Sequence, residues 1–245
     1  MIPKMHWRKI GDVNIFELEG VFSNPWLNRP KEEIHERLER NPSNALLVNL
    51  RMLEKVDRLG AQLILENVRK VSKGGILGRN LSSSFVAEYM NPNESIPIFE
   101  KGNEAIPYFG KELAQVPAAS VTRQEKRNFH RLKTALPAEF EWTDGGGIFS
   151  FEVVVLNLSE GGFYGRFLDS KTEELAFRKL DPFDLKLLSV RLALGPDEIL
   201  EIGGKILRKE KEESELAGVA IGFYNIQPED HEKIKACLEA QQLSQ

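Results

Sequence analysis

Residues 149–168 read FSFEVVVLNLSEGGFYGRFL, and this stretch decides the fold of the second half of the chain. Two runs rich in β-branched and aromatic residues, 149–156 and 163–168, flank a polar segment that ends in Gly161 and Gly162. Such runs, separated by a glycine-containing turn, are typical of neighbouring β-strands. The stretch therefore predicts two strands with a polar turn between them.

The same pattern continues on both sides of this stretch. Four more strand-like runs lie at 136–142, 185–194, 200–208 and 216–224, with clusters of Gly, Pro and Asp between them. Several short strands at such spacing predict a small antiparallel barrel or sandwich. Pro228 then begins a terminal helix, and Cys237 lies on its apolar side, where we expect it to pack in the core.

The first half of the chain alternates strand-like and helix-like segments. Strand-like runs at 13–18, 45–50, 76–77 and 96–99 are separated by helical patterns at 60–73, 82–90 and 103–113 and by one that begins at Pro30. We expect Gly74 to end the second helix. Repeated β-α units predict a sheet with helices packed on it. The change of pattern places the boundary between domains 1–116 and 117–245, with a basic arm over 117–133.

Charge is distributed unevenly along the chain. Residues 1–117 carry 16 basic and 15 acidic side chains, whereas residues 118–245 carry 17 basic and 22 acidic ones. Within that acidic half, residues 123–133 hold five basic side chains against Glu125 alone. Nucleic-acid binding favours a broad basic face, so we expect no nucleic-acid partner. A short basic cluster on an acidic body indicates a small anion instead.

Composition excludes other classes of protein. No apolar run is long enough to span a bilayer, and the start of the chain lacks the apolar core of a signal peptide, so we expect a cytoplasmic protein without membrane insertion. The lone Cys237 and four His argue against a disulfide framework and a cysteine-rich metal site. No nucleophile–base arrangement or phosphate loop stands out, so we expect neither an enzyme nor a catalytic cofactor.

Two short motifs carry the chemistry of the second half. Arg127 and Arg131 are four apart, just before the first barrel strand, and the turn within 149–168 reads Asn157-Leu158-Ser159-Glu160-Gly161-Gly162. An Arg fork can bind a phosphate or pair with guanine O6 and N7. Asn157 and Ser159 are two apart, so in a strand they face the same side, and the glycines permit close backbone approach. Alternatively, the arginines form a solvated linker and the second motif only shapes a turn.

Together these motifs resemble the PilZ domain family over about residues 123–240. The family has an RxxxR segment before its barrel and a [D/N]xSxxG turn on it, and the ending Gly218-Val219-Ala220-Ile221-Gly222-Phe223 before a helix is also similar. The resemblance implies that cyclic di-GMP is the ligand. It places Arg127, Arg131, Asn157, Ser159 and Gly162 at the binding positions, with Arg123, Lys126 and Gly161 as further candidates. In the family, the residue before the first motif Arg influences whether one or two ligands bind, and Lys126 leaves that number open.

The first half resembles a STAS domain over about residues 5–115. The resemblance rests on the order of elements and on Val56-Asp57-Arg58-Leu59-Gly60 between a strand and a helix. Many members of that family have a phosphorylatable hydroxyl at this helix start, which switches partner binding. Arg58 and Leu59 replace the hydroxyls here, so we expect no such phosphorylation and interpret Asp57 as a helix cap.

The resulting hypothesis is a STAS-like layered α/β domain followed by a small antiparallel PilZ-type β-barrel with a C-terminal helix. As a cyclic di-GMP receptor in bacterial second-messenger signalling, the protein would couple ligand binding to a change in domain arrangement or in binding of a protein partner through the STAS-like domain. We expect the arm to be mobile without ligand and drawn onto the barrel by it. The alternative is a PilZ/STAS protein-protein interaction module that has lost ligand binding.

Overall fold

The computed structural model describes residues 3–78, 81–91, 94–115, 132–144, 147–180, 187–212 and 215–242. The chain divides into two compact units, Met1–Val116 and Pro117–Gln245. Each unit has its own cluster of buried apolar side chains.

The first unit is a mixed sheet with helices on both faces. Its five strands lie in the order β1 to β5; β1 runs antiparallel to β2 and the remaining neighbours are parallel. The strands are β1 Lys4–Ile10, β2 Val13–Phe22, β3 Ala45–Val56, β4 Lys73–Leu77 and β5 Ile98–Phe99. The helices are α1 Asn28–Arg40, α2 Arg58–Arg69, α3 Leu81–Glu88, α4 Gly102–Tyr108 and α5 Gly110–Leu113.

The two faces of this sheet bury different helices. Val48 of β3 shares an apolar cluster with Ile64 of α2 and Val86 of α3. On the opposite face, a Cβ built on Gly75 would lie 3.2 Å from the ring of Phe109, which joins α4 to α5. This arrangement confirms the predicted layered α/β architecture.

Three local predictions for this unit were wrong or incomplete. Gly74 does not end a helix, because α2 already ends at Arg69 and Gly74 lies in β4. The single helix expected at 103–113 is divided into α4 and α5 at Phe109. Strand β1 was not predicted.

The second unit is a closed barrel of six antiparallel strands in the order β10-β11-β8-β7-β6-β9. The strands are β6 Leu132–Asp144, β7 Gly147–Ser159, β8 Gly162–Phe167, β9 Leu188–Gly195, β10 Glu198–Glu212 and β11 Glu215–Tyr224. Helix α6, Ser170–Lys179, follows β8, and α7, Pro228–Gln242, ends the chain. The barrel and the terminal helix confirm the predicted fold class; α6 was not predicted.

The side chains that point inward from the strands fill the interior of the barrel. Phe140, Phe151 and Phe167 point inward from neighbouring strands, and the rings of Phe140 and Phe151 stack with centroids 5.1 Å apart. Ile234 of α7 belongs to the same buried cluster. Cys237 packs against it, as predicted, and burial raises the pKa of its thiol. With its interior filled, the barrel can offer a ligand only its outer surface.

Candidate ligand-binding trough

The register of four strands aligns a row of side chains on the outside of the barrel. Asn157 of β7 pairs with Tyr164 of β8, Tyr164 pairs with Ala220 of β11, and Ala220 pairs with Arg208 of β10. The residues next to the row on β7, β8 and β11 are buried, since Leu158, Phe163 and Ile221 belong to the core. On β10 the nearest core residue is Ile206, two positions before Arg208. The row therefore lies on the solvent side of a well-packed wall.

A concavity of about 220 Å³ follows this row, and we call it the trough. Small residues, including Ala220 and Gly162, line it together with larger ones, including Tyr164 in the middle of the row. The lining residues are Asn157, Ser159, Gly161, Gly162, Phe163, Tyr164, Leu207, Arg208, Ala220 and Ile221. A concavity that combines apolar residues with a few polar groups is suited to a flat ligand with polar edges.

Asn157 and Ser159 bring polar groups to one end of the trough. They lie two residues apart at the end of β7, and both line the trough, as the alternation of a strand predicts. The Ser159 hydroxyl donates a hydrogen bond to the Gly162 carbonyl, 3.0 Å away. Its oxygen keeps acceptor capacity, and the Asn157 amide brings both donors and an acceptor.

Gly162 is required by packing within the barrel. Its φ is +152°, and an added Cβ would lie 2.2 Å from the carbonyl oxygen of Ile221 on β11. Real Cβ atoms do not approach a backbone oxygen so closely. The absence of a side chain at Gly162 therefore lets β8 pair with β11, which is a role in the fold.

The turn between Ser159 and Gly162 is held from outside the motif. The Gly161 carbonyl accepts a hydrogen bond of 3.0 Å from the amide of Phe223 on β11. Glu160 Oε2 lies 3.2 Å from Nε2 of His231 on α7. These contacts fix the end of the trough that carries Asn157 and Ser159.

A β-bulge forms the opposite end of the trough. On β10, Ile206 pairs with Ile221 and Arg208 pairs with Ala220, so Leu207 is the extra residue between them. Leu207 and Arg208 are consecutive, yet both are exposed and both line the trough. Arg208 Nη2 lies 2.5 Å from Glu210 Oε1. This end therefore combines an apolar side chain with a guanidinium.

The structure brings together only part of the predicted site. Asn157, Ser159, Gly161 and Gly162 all line the trough. The four basic candidates lie outside the described residues; they are Arg123, Lys126, Arg127 and Arg131.

Sequence reasoning missed Tyr164, Leu207, Arg208 and Ala220, which line the same trough. Regular alternation after the buried Ile206 would point Arg208 inward, and only the bulge at Leu207 turns it outward. An arginine within a predicted strand was the available signal, but its outward direction depends on the bulge and its neighbours depend on the register.

In the first unit, Asp57 caps α2 as predicted. Its Oδ1 accepts a hydrogen bond of 2.8 Å from the Gly60 amide. Its Oδ2 also accepts one of 2.9 Å from the Asn24 amide, in the segment that follows β2. Arg58 and Leu59, which follow Asp57 at the start of α2, are exposed.

Two further features are absent from the part of the chain that the structure describes. There, no three His, Cys, Asp or Glu side chains are grouped so that they could hold a metal ion. No helix in those ranges combines the length and apolar character needed to cross a bilayer.

Residues 125–240 match the sequence profile of the PilZ domain. The C-terminal half of the chain is a PilZ domain. The trough, the motif turn and the bulge all belong to it. No curated protein matches the sequence.

Solved structures provide more distant likenesses. The inhibitor of motility MotI/DgrA of Bacillus subtilis is 16% identical with a TM-score of 0.38, and the match covers 54% of this chain and 57% of that one. The PilZ domain with c-di-GMP of YcgR from Escherichia coli is 11% identical with a TM-score of 0.35, covering 49% and 94%. An anti-sigma factor antagonist from Mycobacterium paratuberculosis is 12% identical with a TM-score of 0.39, covering 43% and 92%. The chain thus spans little more than half the length of MotI/DgrA.

Proposed function

We propose that this protein is a cytoplasmic receptor for cyclic di-GMP, without catalytic activity, and that the trough of its PilZ domain holds the ligand. One observation carries the proposal: Asn157, Ser159, Gly161 and Gly162 line a single concavity in a domain of this family. The solved PilZ domain of YcgR, which is similar, contains c-di-GMP.

The chemistry of the trough fits this ligand. Cyclic di-GMP offers two phosphodiester anions and two guanines, which have flat apolar faces and polar edges. The Asn157 amide and the Ser159 oxygen provide hydrogen-bonding groups at one end. Arg208 provides a cation at the other end.

The basic arm over 117–133 would supply the remaining contacts. We assign Arg127 and Arg131 to charge-assisted bonds with phosphate or guanine edges, because a planar Arg fork binds either. Arg123 and Lys126 are further candidates for the phosphates. The identity of Lys126 leaves open whether one or two ligands bind.

The alternative is an interaction module that has lost its ligand. A specific observation favours it: the Ser159 hydroxyl already donates to the Gly162 carbonyl, so the turn is complete without a ligand. Because the two functions predict opposite results, a binding measurement decides between them.

The test is isothermal titration of the full-length protein with cyclic di-GMP. We expect a Kd in the submicromolar to low micromolar range, corresponding to about 8 kcal/mol or more. Asn157→Ala, Arg127→Ala and Arg131→Ala should each weaken binding by at least about tenfold, the loss of roughly one charge-assisted or bidentate contact.

Arg191→Ala is the control for these variants, because Arg191 is a half-exposed arginine of β9 that does not line the trough. Its affinity should equal that of the wild type, and all variants should keep the wild-type circular dichroism spectrum. No heat of binding in the folded wild type would establish the ligand-free alternative. Binding that none of the three site variants weakens would refute the site.

We further propose that the first unit transmits the ligand state to a protein partner. Its Asp57-Arg58-Leu59 helix start lacks a hydroxyl, so partner binding would not depend on phosphorylation there. A pull-down from native cells with and without cyclic di-GMP tests this. A partner should be enriched under one condition only, and lost when residues 1–116 are deleted while ligand affinity is kept.

A further inference from the structure

We infer that the bulge on β10 forms a base-recognition wall, in which Arg208 pairs with the guanine edge of the ligand and Leu207 packs against the purine plane. The inference rests on the proposed function, since it concerns the same trough. It assigns ligand selectivity to residues outside both sequence motifs.

The geometry places the two side chains where a base would lie. A regular strand turns successive side chains to opposite faces, but the bulge gives Leu207 and Arg208 the same outward face. Leu207 is 63% exposed and lines the trough, so its apolar side chain is accessible to a ligand there. An exposed apolar side chain next to a planar donor matches the face and the edge of a purine.

The base-recognition wall and the motif turn lie far apart across the strands of the sheet. Arg208 and Asn157 are three strands apart in one row, or about 14 Å at the usual strand spacing. That separation exceeds the size of one phosphate group. We therefore assign the motif turn and the bulge to different parts of the dinucleotide.

A phosphate contact alone would not require Leu207. A phosphodiester is strongly hydrated and gains nothing from an adjacent isobutyl group. A purine plane, in contrast, is stabilised by apolar contact with such a group. The fork of Arg208 can donate to both O6 and N7 of guanine. Adenine presents an amino donor in place of O6, so the same fork would discriminate between the two bases.

Glu210 competes for this arginine. Arg208 Nη2 lies 2.5 Å from Glu210 Oε1, and both side chains are solvent-accessible. An exposed ion pair of this kind is weak, so a ligand can displace it. We expect Glu210→Gln to leave Arg208 available more often and to tighten binding by a few-fold, on the order of what an exposed pair contributes.

The experiment compares the affinities of cyclic di-GMP and cyclic di-AMP for the full-length protein and its Arg208 variants. Arg208→Ala should weaken cyclic di-GMP binding by at least about tenfold and reduce the selectivity for guanine by a similar factor. Arg208→Lys should not restore that selectivity, because an ammonium lacks the fork. Arg191→Ala is matched in type and in exposure, at 50% against 51%, and should change neither affinity.

Leu207 is tested separately, against Ile199 of the same strand. Leu207→Ala should weaken both dinucleotides to a similar extent, because both offer a purine plane. Ile199→Ala, at a position 53% exposed and away from the trough, should weaken neither.

The outcomes separate the inference from the proposed function. If Asn157→Ala weakens cyclic di-GMP binding but Arg208→Ala behaves like Arg191→Ala, the inference fails and the proposed function stands. If Arg208→Ala weakens both dinucleotides equally and Arg208→Lys restores them, the contact is with phosphate and the base-recognition wall is wrong. A wild-type protein that binds neither dinucleotide overturns both.

Discussion

At the scale of single residues, the Asp57 side chain makes two contacts at the start of α2. Its two carboxylate oxygens accept from the Gly60 amide of α2 and from the Asn24 amide beyond β2. The helix start is therefore tied to the end of a neighbouring strand. This arrangement needs no hydroxyl at Arg58 or Leu59.

We predict that Asp57→Ala loosens the first turn of α2. Loss of a helix cap costs about 0.5–2 kcal/mol, so hydrogen exchange at the amides of that turn should accelerate by about 2- to 30-fold if it proceeds through local opening. Peptide-level exchange measured by mass spectrometry on the full chain provides the readout. Arg58→Ala, the adjacent exposed position, should leave the exchange unchanged; equal acceleration in both variants would contradict the role of the cap.

At the scale of elements, the sequence predicted those strands that carry dense runs of apolar residues. Strand β7 carries Phe151, Val153 and Val155 inward, and this pattern is visible without a structure. Strand β1 was missed because charged residues separate its apolar ones, and cross-strand ion pairs hold it to β2. One such pair joins Arg8 and Glu17 at 3.0 Å, and only the register reveals it.

The pairing of β8 with β11 depends on Gly162. We predict that Gly162→Ala destabilises the barrel by at least about 2 kcal/mol, because the new Cβ meets the Ile221 carbonyl at a backbone conformation unfavourable to side chains. Denaturant unfolding, followed by the fluorescence of Trp142 with Trp7 and Trp26 replaced by Phe, measures this loss.

Gly195→Ala provides the control for that experiment. A Cβ added at Gly195 would have no other atom within 4 Å. Gly195 is the last residue of β9, so it also lies at the end of a barrel strand, as Gly162 lies at the start of β8. The free energy of unfolding of Gly195→Ala should differ from that of the wild type by no more than about 0.5 kcal/mol, the range of ordinary surface substitutions. If Gly162→Ala were as mild, the close approach to β11 would not constrain the turn.

At the scale of the whole molecule, the site could be predicted only in part, because it is assembled by register. Asn157, Tyr164, Ala220 and Arg208 form one row but are far apart in the chain. Local patterns identify Asn157 through its motif. They do not reveal that Ala220 lies beside Tyr164, since strand order and register are properties of the closed barrel.

The arm links ligand capture to domain arrangement in our proposal. Arg127 and Arg131 stand in the segment that joins the two units, where five basic side chains occupy eleven residues of the sequence. A dianionic ligand would neutralise their repulsion and draw the arm to the trough. Ordering that segment costs about 1–2 kcal/mol per residue, which charge-assisted contacts must exceed.

We therefore predict that saturating cyclic di-GMP changes the small-angle scattering profile of the full-length protein and protects residues 123–131 from proteolysis. Asn157→Ala, measured at the same ligand concentration, should show a smaller change in proportion to its lower occupancy. Full occupancy by titration with neither observable altered would show that binding is not coupled to domain arrangement.

The bulge at Leu207 has a consequence for how such a site can change over evolutionary time. The ladder resumes directly after it, with Arg208 opposite Ala220, so the extra residue leaves the pairing of Lys209 with Val219 regular. Loss or gain of one codon at this position would remove or add an apolar side chain at the trough without shifting any strand of the barrel. In our proposal, the affinity for a purine ligand is therefore open to revision by single-residue insertion and deletion, a route that is closed at nearly every other position of a paired strand.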